Sequence, residues 1–478
     1  MTKRIPICCL AIAGGFTTPL YSATDNENVL VIVVDDLGKE MLSIYNTPNK
    51  IKAKTPNIDK LAKTGVVFDN VWGYPLSAPV RAAMLTGRYG HHTGIVALEI
   101  TLPLSEETLF EALPEGYSNA VIGKWHLSKK IDFAAEYGID HFAGIATEGG
   151  VRNYYKWLFT VDGESEMSSK YVTTQITDSA KEWIADQKSP WVCWVAYNAP
   201  HIPLHLPPSH MHSQKRLSGD ADDIAQNSMS YYLAMIESLD YDIGRLLEGI
   251  DESTTVILVG DNGTERRLLP SPYSSSHGKG TLYESGVAIP MIISGGNIPS
   301  KASRCDALVS AVDLFPSIME LTGESMASYE DGYSFISAAM GGESQRQFNF
   351  SEILNRRLGY MNAVCDGQYK LITSKSGKEE LYNIATDPLE SRNLLQSKLS
   401  ATEEEALKAL KEELARMEIP IDSIPDTPPA SDGHNPNRGF GGSGERGSGT
   451  TRSYGGSRGG NGGDNSNRVN NNQYRSNR

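Results

Sequence analysis

Short apolar runs with almost no polar interruption recur along the chain. They occupy residues 28–34, 119–122, 191–197, 255–259 and 290–294 and are rich in Val and Ile. A strand with one wet face alternates apolar and polar positions. A strand that does not alternate is buried on both faces, as in a parallel sheet covered by helices. Between the runs the period changes. Leu233, Ile236, Leu239, Ile243, Leu246, Leu247 and Ile250 recur at helical spacing over 231–250. Thr55-Pro56 has the form of an N-cap followed by proline at the first helical position, and Gly65 ends that helix. Alternation of strand and helix predicts an α/β fold built on a large, doubly wound, mostly parallel sheet.

From residue 332 the texture changes. Residues 348–354, 360–366, 369–373 and 380–384 read as short strands joined by polar turns, with Asp366-Gly367 as a hairpin turn and a helix over 401–417. These predict a smaller C-terminal α+β subdomain. The expected organisation is a leader over 1–23, the α/β domain over 24–331, the subdomain over 332–424 and a tail over 425–478. The tail is dominated by Gly, Ser, Asn and Arg and has almost nothing apolar, so disorder is expected there.

The leader is read from Lys3 and Arg4, the apolar run 5–16, and small and polar residues to Ala23. That run is too short to span a membrane and has the form of an export signal, which predicts a periplasmic or secreted protein. Beyond it only Cys193, Cys305 and Cys365 remain, which gives no disulfide framework. Cys193 falls in an apolar run and is expected to be a buried small hydrophobe. The 44 Lys and Arg against 58 Asp and Glu leave a net charge of −14, which argues against nucleic acid or anionic lipid as the main partner. Arg-Gly tails can bind single strands, but on an exported acidic chain a solvated tether is the simpler reading. No membrane span is expected.

The chemistry gathers where polar residues end the apolar runs. The first run leads into Asp35-Asp36, and 255–259 into Gly260-Asp261-Asn262-Gly263. The run ending at 122 leads into Gly123-Lys124-Trp125-His126, and that ending at 197 into Asn198-Ala199-Pro200-His201. Neighbouring strands of an open parallel sheet present their carboxyl ends on one edge, where ligands bind. Asp35, Asp36, Asp261 and Asn262 offer only oxygen, which suits a hard divalent cation, Ca²⁺ before Mg²⁺. A lone Asp-Asp pair is more often a solvated loop or a helix cap, but two acid-bearing strand ends weaken that reading. Pro79 suits a first helical turn and places Ser77 at the helix N-terminus, where free amides favour an anion. Ser77 as a plain N-cap is an equally good reading of that stretch alone.

Ser77-x-Pro79-x-Arg81, followed after four residues by Thr86-Gly87, resembles the signature of the formylglycine-dependent (type I) sulfatases of the alkaline-phosphatase-like superfamily. Asp35-Asp36 and Asp261-Asn262-Gly263 resemble that family's two metal-binding pairs. Gly123-Lys124-Trp125-His126, the segment from Ala199 to Pro203 around His201, and the segment from Gly278 to Glu284 around Lys279 resemble three further family segments in the same order. The resemblance implies that Ser77 is oxidised to Cα-formylglycine (3-oxoalanine) by a radical-type maturing enzyme, since it is Ser rather than Cys. Val80 stands where many members carry Ser.

The resemblance further implies sulfate ester hydrolysis of a sulfated glycan or aryl sulfate. The hydrated aldehyde at 77 is the nucleophile, beside one metal ion held by Asp35, Asp36, Asp261, Asn262 and residue 77 itself. Lys124 and Lys279 carry the sulfuryl charge, and Arg81 holds residue 77. His201 is the acid for the leaving alcohol, and His126 the base that releases sulfate. His205 and His277 are candidates for a supporting role only. Arg152, Tyr154, Tyr155 and Trp157 form either a pocket wall or an ordinary aromatic cluster. Two rivals remain: a phosphohydrolase using unmodified Ser77, and a sulfated-glycan binder without catalysis. Asn262 stands where two-metal phosphohydrolases of the superfamily carry His, which favours the sulfatase reading.

Overall fold

The computed structural model describes residues 27–428, except Glu99, Ser325 and Ala327. The leader predicted over 1–23 and all of the tail beyond 428 lie outside the described residues. Ten strands form the main sheet: β1 (Val29–Asp35), β2 (Gly65–Trp72), β3 (Ser118–Lys124), β4 (His141–Ile145), β5 (Trp157–Val161), β6 (Glu164–Ser168), β7 (Trp191–Pro200), β8 (Thr255–Gly260), β9 (Met291–Ser294) and β10 (Ser303–Ser310). Their order is β10-β2-β9-β8-β1-β7-β3-β4-β5-β6. The central four, β8-β1-β7-β3, are mutually parallel.

The unbroken apolar runs have a direct cause. Val29, Val31 and Val33 of β1 point into one core cluster and Leu30, Ile32 and Val34 into another, on the opposite face. Helix α1 (Pro56–Lys63) and the helices Val172–Ala185 and Ser228–Leu247 contribute to the second cluster, while α2 (Ser77–Thr86) and the helix Leu314–Leu321 contribute to the first. Each fully buried Val, Leu or Ile side chain contributes roughly 1.5–3 kcal/mol of transfer free energy, so β1 alone anchors both layers. Cys193 is buried between Val192 and Trp194 on the middle of β7, as its apolar surroundings predict. The run at 290–294 becomes β9, which is antiparallel to both β8 and β2. Burial on two faces fixes composition but not strand direction.

A short ribbon, β11 (Ser328–Tyr329) and β12 (Gly332–Tyr333), precedes a second sheet. That sheet is an antiparallel meander of β13 (Asn349–Asn355), β14 (Gly359–Cys365), β15 (Tyr369–Ser374) and β16 (Glu379–Asn383), against which the helix Ala401–Arg416 packs. At the Asp366-Gly367 turn, the Asp366 carboxylate accepts the amides of Gln368 and Tyr369. Two buried polar clusters tie this sheet to the main one. Glu352 of β13 accepts from the amide of His91 (3.0 Å) and the hydroxyls of Tyr74 and Tyr360. Lys370 of β15 pairs with Glu284 (3.1 Å) and Glu390 (2.9 Å) and lies over the Trp72 ring. Among the described residues no helix is long and apolar enough to cross a membrane.

The start of α1 departs from expectation. Thr55 holds the N-cap position, but its hydroxyl makes no capping bond. The Asp240 carboxylate, from the Ser228–Leu247 helix, instead accepts the amides of Asn57 (3.1 Å) and Ile58 (2.8 Å). A cap supplied by another helix also fixes how the two helices meet. Asp240→Ala is therefore expected to lower stability by about 1–2 kcal/mol in urea unfolding, whereas Thr55→Ala changes it by less. Equal effects would show that Asp240 is not the cap.

Candidate active site

The four polar strand ends do meet. Between Val34 and Asp35 the β1–β7 register slips, so that Val34 faces Tyr197 but Asp35 faces Pro200. The two extra residues in β7 hold His201 back beside Asp36, and its Nε2 lies 3.9 Å from Asp36 Oδ2. On the other side of β1, Asp261 Oδ1 accepts the amides of Asp36 (3.1 Å) and Asn262 (2.7 Å). Asp36 itself adopts a left-handed backbone, φ 65°, as does His126, φ 69°. Such conformations in non-glycine residues are held by their surroundings and cluster at functional sites.

Helix α2 begins with Ser77, buried at its first position. The Ser77 hydroxyl lies 3.0 Å from Asp35 Oδ1 and 3.0 Å from Asn262 Oδ1, and donates to this pair. One turn on, Arg81 Nη1 donates to the Lys124 carbonyl (3.0 Å) and Nη2 to Asp261 Oδ2 (3.1 Å). Lys124 at the end of β3 pairs with Asp35, and Lys279 with Asp36. Three buried carboxylates thus face three cations. All ten sequence-predicted residues, Asp35, Asp36, Ser77, Arg81, Lys124, His126, His201, Asp261, Asn262 and Lys279, fall at this one edge.

Burial and charge together set the ionisation. Burial alone would raise the Asp35 carboxyl, but Lys124, His201, Lys279 and Arg81 hold it well below the usual range. Asp261 is pushed up to about 7 by burial and by the charge of Asp35, against Arg81 and Lys124. Burial draws Lys124 down in spite of Asp35. Lys279 is also buried, but Asp36, Asp35 and Asp261 outweigh that and hold it above the ordinary lysine value. Burial, reinforced by Lys124 and Arg81, holds His126 well below the ordinary imidazole value. Burial likewise lowers His201, partly opposed by Asp36.

The donors fit a hard cation. Asp35, Asp36, Asp261 and Asn262 offer carboxylate and amide oxygens, and carboxylate oxygens of Asp35 and Asp36 lie within 4.8 Å of each other and of a ring nitrogen of His201. Asp261, held up by burial and by its acidic neighbour Asp35, would be relieved by added positive charge. Arg81 Nε, His126 Nδ1 and Asn198 Oδ1 are buried with no partner in the protein, as expected of a site completed by something outside the chain. Asp261 turns one oxygen to backbone amides and the other to Arg81, so Asp35 and Asp36 face the imidazole of His201 more directly than Asp261 does.

Other side chains act from behind. Tyr154 is buried, its hydroxyl 3.0 Å from the Asn198 carbonyl and 2.7 Å from that of His201, so it braces the loop rather than lining a pocket. Trp157 is buried and donates to the Lys170 carbonyl, while Tyr155 and Arg152 are exposed. His205 stacks on Tyr154 at 4.0 Å and meets the Tyr171 hydroxyl at 3.0 Å, behind His201. His277 stacks on Tyr283 at 3.7 Å. Sequence reasoning missed Asn198, Tyr232, whose hydroxyl donates to the Asp36 carbonyl (2.6 Å), and the pair Gly149-Gly150. Asn198 ends β7 and was open to notice. Tyr232 sits in a helix, and nothing local marks it.

Comparison with known proteins bears on this geometry. The Sulfatase family profile matches residues 27–324, more than half of the 478-residue chain. The chain belongs to the sulfatase family. A second profile, N-sulphoglucosamine sulphohydrolase, C-terminal, matches residues 275–419. Arylsulfatase J of Mus musculus is 27% identical over 63% of this chain, which spans about half (53%) of that protein. N-acetylgalactosamine-6-sulfatase of Canis lupus familiaris is 29% identical over 73% of this chain and 72% of its own length. The crystal structure of Ps i-CgsB in complex with k-i-k-neocarrahexaose shares the fold, with a TM-score of 0.70 at 23% identity, over 84% of this chain and 95% of that one. The chain is therefore an enzyme of the sulfatase family, with that family's fold.

Gly149 and Gly150 lie against the two imidazoles. A Cβ at Gly149 would stand 2.6 Å from His126 Nε2, and one at Gly150 3.2 Å from His201 Nδ1. The glycine backbone is thus the surface on which His126 rests. Gly149→Ala is expected to displace that ring and lower kcat for a sulfate ester by about 10- to 100-fold, with KM and the thermal midpoint changing far less. An unaltered kcat would show that the ring does not depend on this contact.

Proposed function

We propose that the protein is an exported sulfatase that removes sulfate from a sulfated saccharide, using a formylglycine made from Ser77. The observation that carries this reading is the placement of Ser77. Its oxygen is held between Asp35 and Asn262 at a buried helix N-terminus, with two lysines and two imidazoles around it. The substrate class is supported by the N-acetylgalactosamine-6-sulfatase relative and by the oligosaccharide bound in the Ps i-CgsB structure. The expected leader supports a periplasmic or secreted site of action, and the Ser at 77 a radical-type maturing enzyme as partner.

Asp35, Asp36, Asp261, Asn262 and residue 77 would hold a divalent ion, Ca²⁺ before Mg²⁺, which supplies positive charge to the sulfate oxygens when bound. Formylglycine, when hydrated, supplies the nucleophile for sulfur and a means of expelling sulfate afterwards. The chain's own groups do the rest. Lys124 and Lys279 bind and orient the sulfuryl oxygens, and charge redistributed there in the transition state meets preorganised ammonium groups. Arg81 fixes the Lys124 carbonyl and Asp261, so that the cluster does not reorganise. His201 donates Nδ1–H to the Ile202 carbonyl at 2.6 Å, which leaves Nε2 directed towards Asp36 and the reacting groups. Carrying a proton on Nε2, it serves as the acid for the departing alcohol. His126, held neutral by burial and its cationic neighbours, serves as the acceptor of the proton lost when sulfate is released.

Two measurements test this. Mass spectrometry of the peptide spanning residue 77, from protein made with a Ser-type maturing enzyme, is expected to show the loss of two hydrogens and capture by an aldehyde reagent. Unmodified Ser77 in active protein would favour the phosphohydrolase reading instead. His201→Ala is expected to lower kcat/KM for a sugar sulfate by about 100- to 10,000-fold, but far less for 4-nitrophenyl sulfate, whose phenolate leaves without a proton. Equal losses on both would remove His201 from the acid role.

A further inference from the structure

The chain does not leave the site after Asn262. The Thr264 carbonyl accepts the amide of Lys279 at 3.0 Å, so residues 264–266 run along the segment that carries this lysine. The glycines on either side of Lys279 measure how closely they approach. A Cβ at Gly278 would lie 3.1 Å from Arg266 Cα, and one at Gly280 would lie 3.5 Å from Arg266 Nη2. The Arg266 guanidinium therefore rests beside the backbone of Lys279, over positions that carry no side chain.

Its charge is not taken. Arg81, Lys124 and Lys279 each pair with a buried carboxylate, Asp261, Asp35 and Asp36 in turn. Arg266 is exposed and forms no hydrogen bond or ion pair among the described residues. Its neighbour Arg267 approaches Glu265 at 4.0 Å, so the one acid nearby in sequence faces the other arginine. A planar fork of donors, always charged, suits a sulfate or carboxylate that it can meet with two parallel bonds.

We propose that Arg266 recognises a second anionic group on the substrate, a sulfate or carboxylate other than the sulfate that is cleaved. This rests on the sulfatase reading and narrows it to saccharides that carry at least two negative charges. Lys279 holds the scissile group, and Arg266, alongside it, reads the anion on an adjacent position or residue of the sugar.

The test uses the full chain with the aldehyde at residue 77 and a panel of monosulfated hexoses, each paired with a disulfated and a uronate-bearing counterpart. The quantity read is the ratio of kcat/KM for the doubly to the singly charged member. That ratio is expected to be about tenfold or more in the parent, to fall towards unity in Arg266→Ala, and to be partly kept in Arg266→Lys. Lys301→Ala provides the control. Lys301 is exposed on the loop between β9 and β10, at the other end of the sheet, and its removal should leave the ratio unchanged. The disulfated and uronate pairs separate a second sulfate from a carboxylate. Cleavage of monosulfates with a ratio that Arg266→Ala does not move would overturn the assignment of Arg266 alone. No cleavage of any member by aldehyde-bearing protein would overturn the sulfatase reading, and this inference with it.

Discussion

Three carboxylates, Asp35, Asp36 and Asp261, are buried at the carboxyl edge of a sheet whose central strands are otherwise almost wholly apolar. Burying one ionised acid is already unfavourable, and three within one cluster are tolerable only with compensating charge. The arrangement follows from that constraint. Arg81 reaches back from α2, Lys124 ends β3, and Lys279 arrives from a loop between β8 and β9, each meeting one acid. The pairings of Arg81 and Lys124 also bring Ser77 and His126 to fixed places, because α2 and the end of β3 carry them on the same short segments. Neutralising the cluster and assembling the site are one task.

Much of this is legible in the sequence. Parallel strands buried on both faces announce themselves by unbroken Val and Ile, and the residue after each run must then lie on a common edge. That logic located Asp35, Asp36, Lys124, His126, His201, Asp261 and Asn262 without knowledge of the strand order. Ser77 and Lys279 needed the family resemblance, since a serine at a helix start reads equally as a plain N-cap and a lysine in a Gly-rich loop carries no local mark. What stayed hidden depends on contacts between distant segments. The antiparallel direction of β9 leaves no trace in composition. Asp240 as the cap of α1 needs two helices to meet, and Gly149 beneath His126 needs a loop to fold over the edge.

The second sheet bears on the site by the same electrostatic rule. Lys370, with Glu284 and Glu390, forms a buried charged group, and Glu284 follows closely on Lys279 in the chain. Burial, opposed by Lys370 and reinforced by Glu284, pushes Glu390 up to about 7. The loop that carries Lys279 is therefore held at one end by Asp36 and at the other by a lysine of the meander. Removing one partner would leave buried charge uncompensated, so the position of the lysine is guarded from both sides.

The burial of Ser77 also sets an order of events in the life of the protein. The residue is 2% exposed, enclosed by α2, Asp35 and Asn262. In the folded structure that side chain is enclosed, with its hydroxyl turned to Asp35 and Asn262. On the proposed reading, the enzyme that converts Ser77 would meet it on a chain that is still open, before β1 and β8 close over it. Biogenesis and activity would then be coupled in time, because a molecule that folds first would shield its alcohol from conversion.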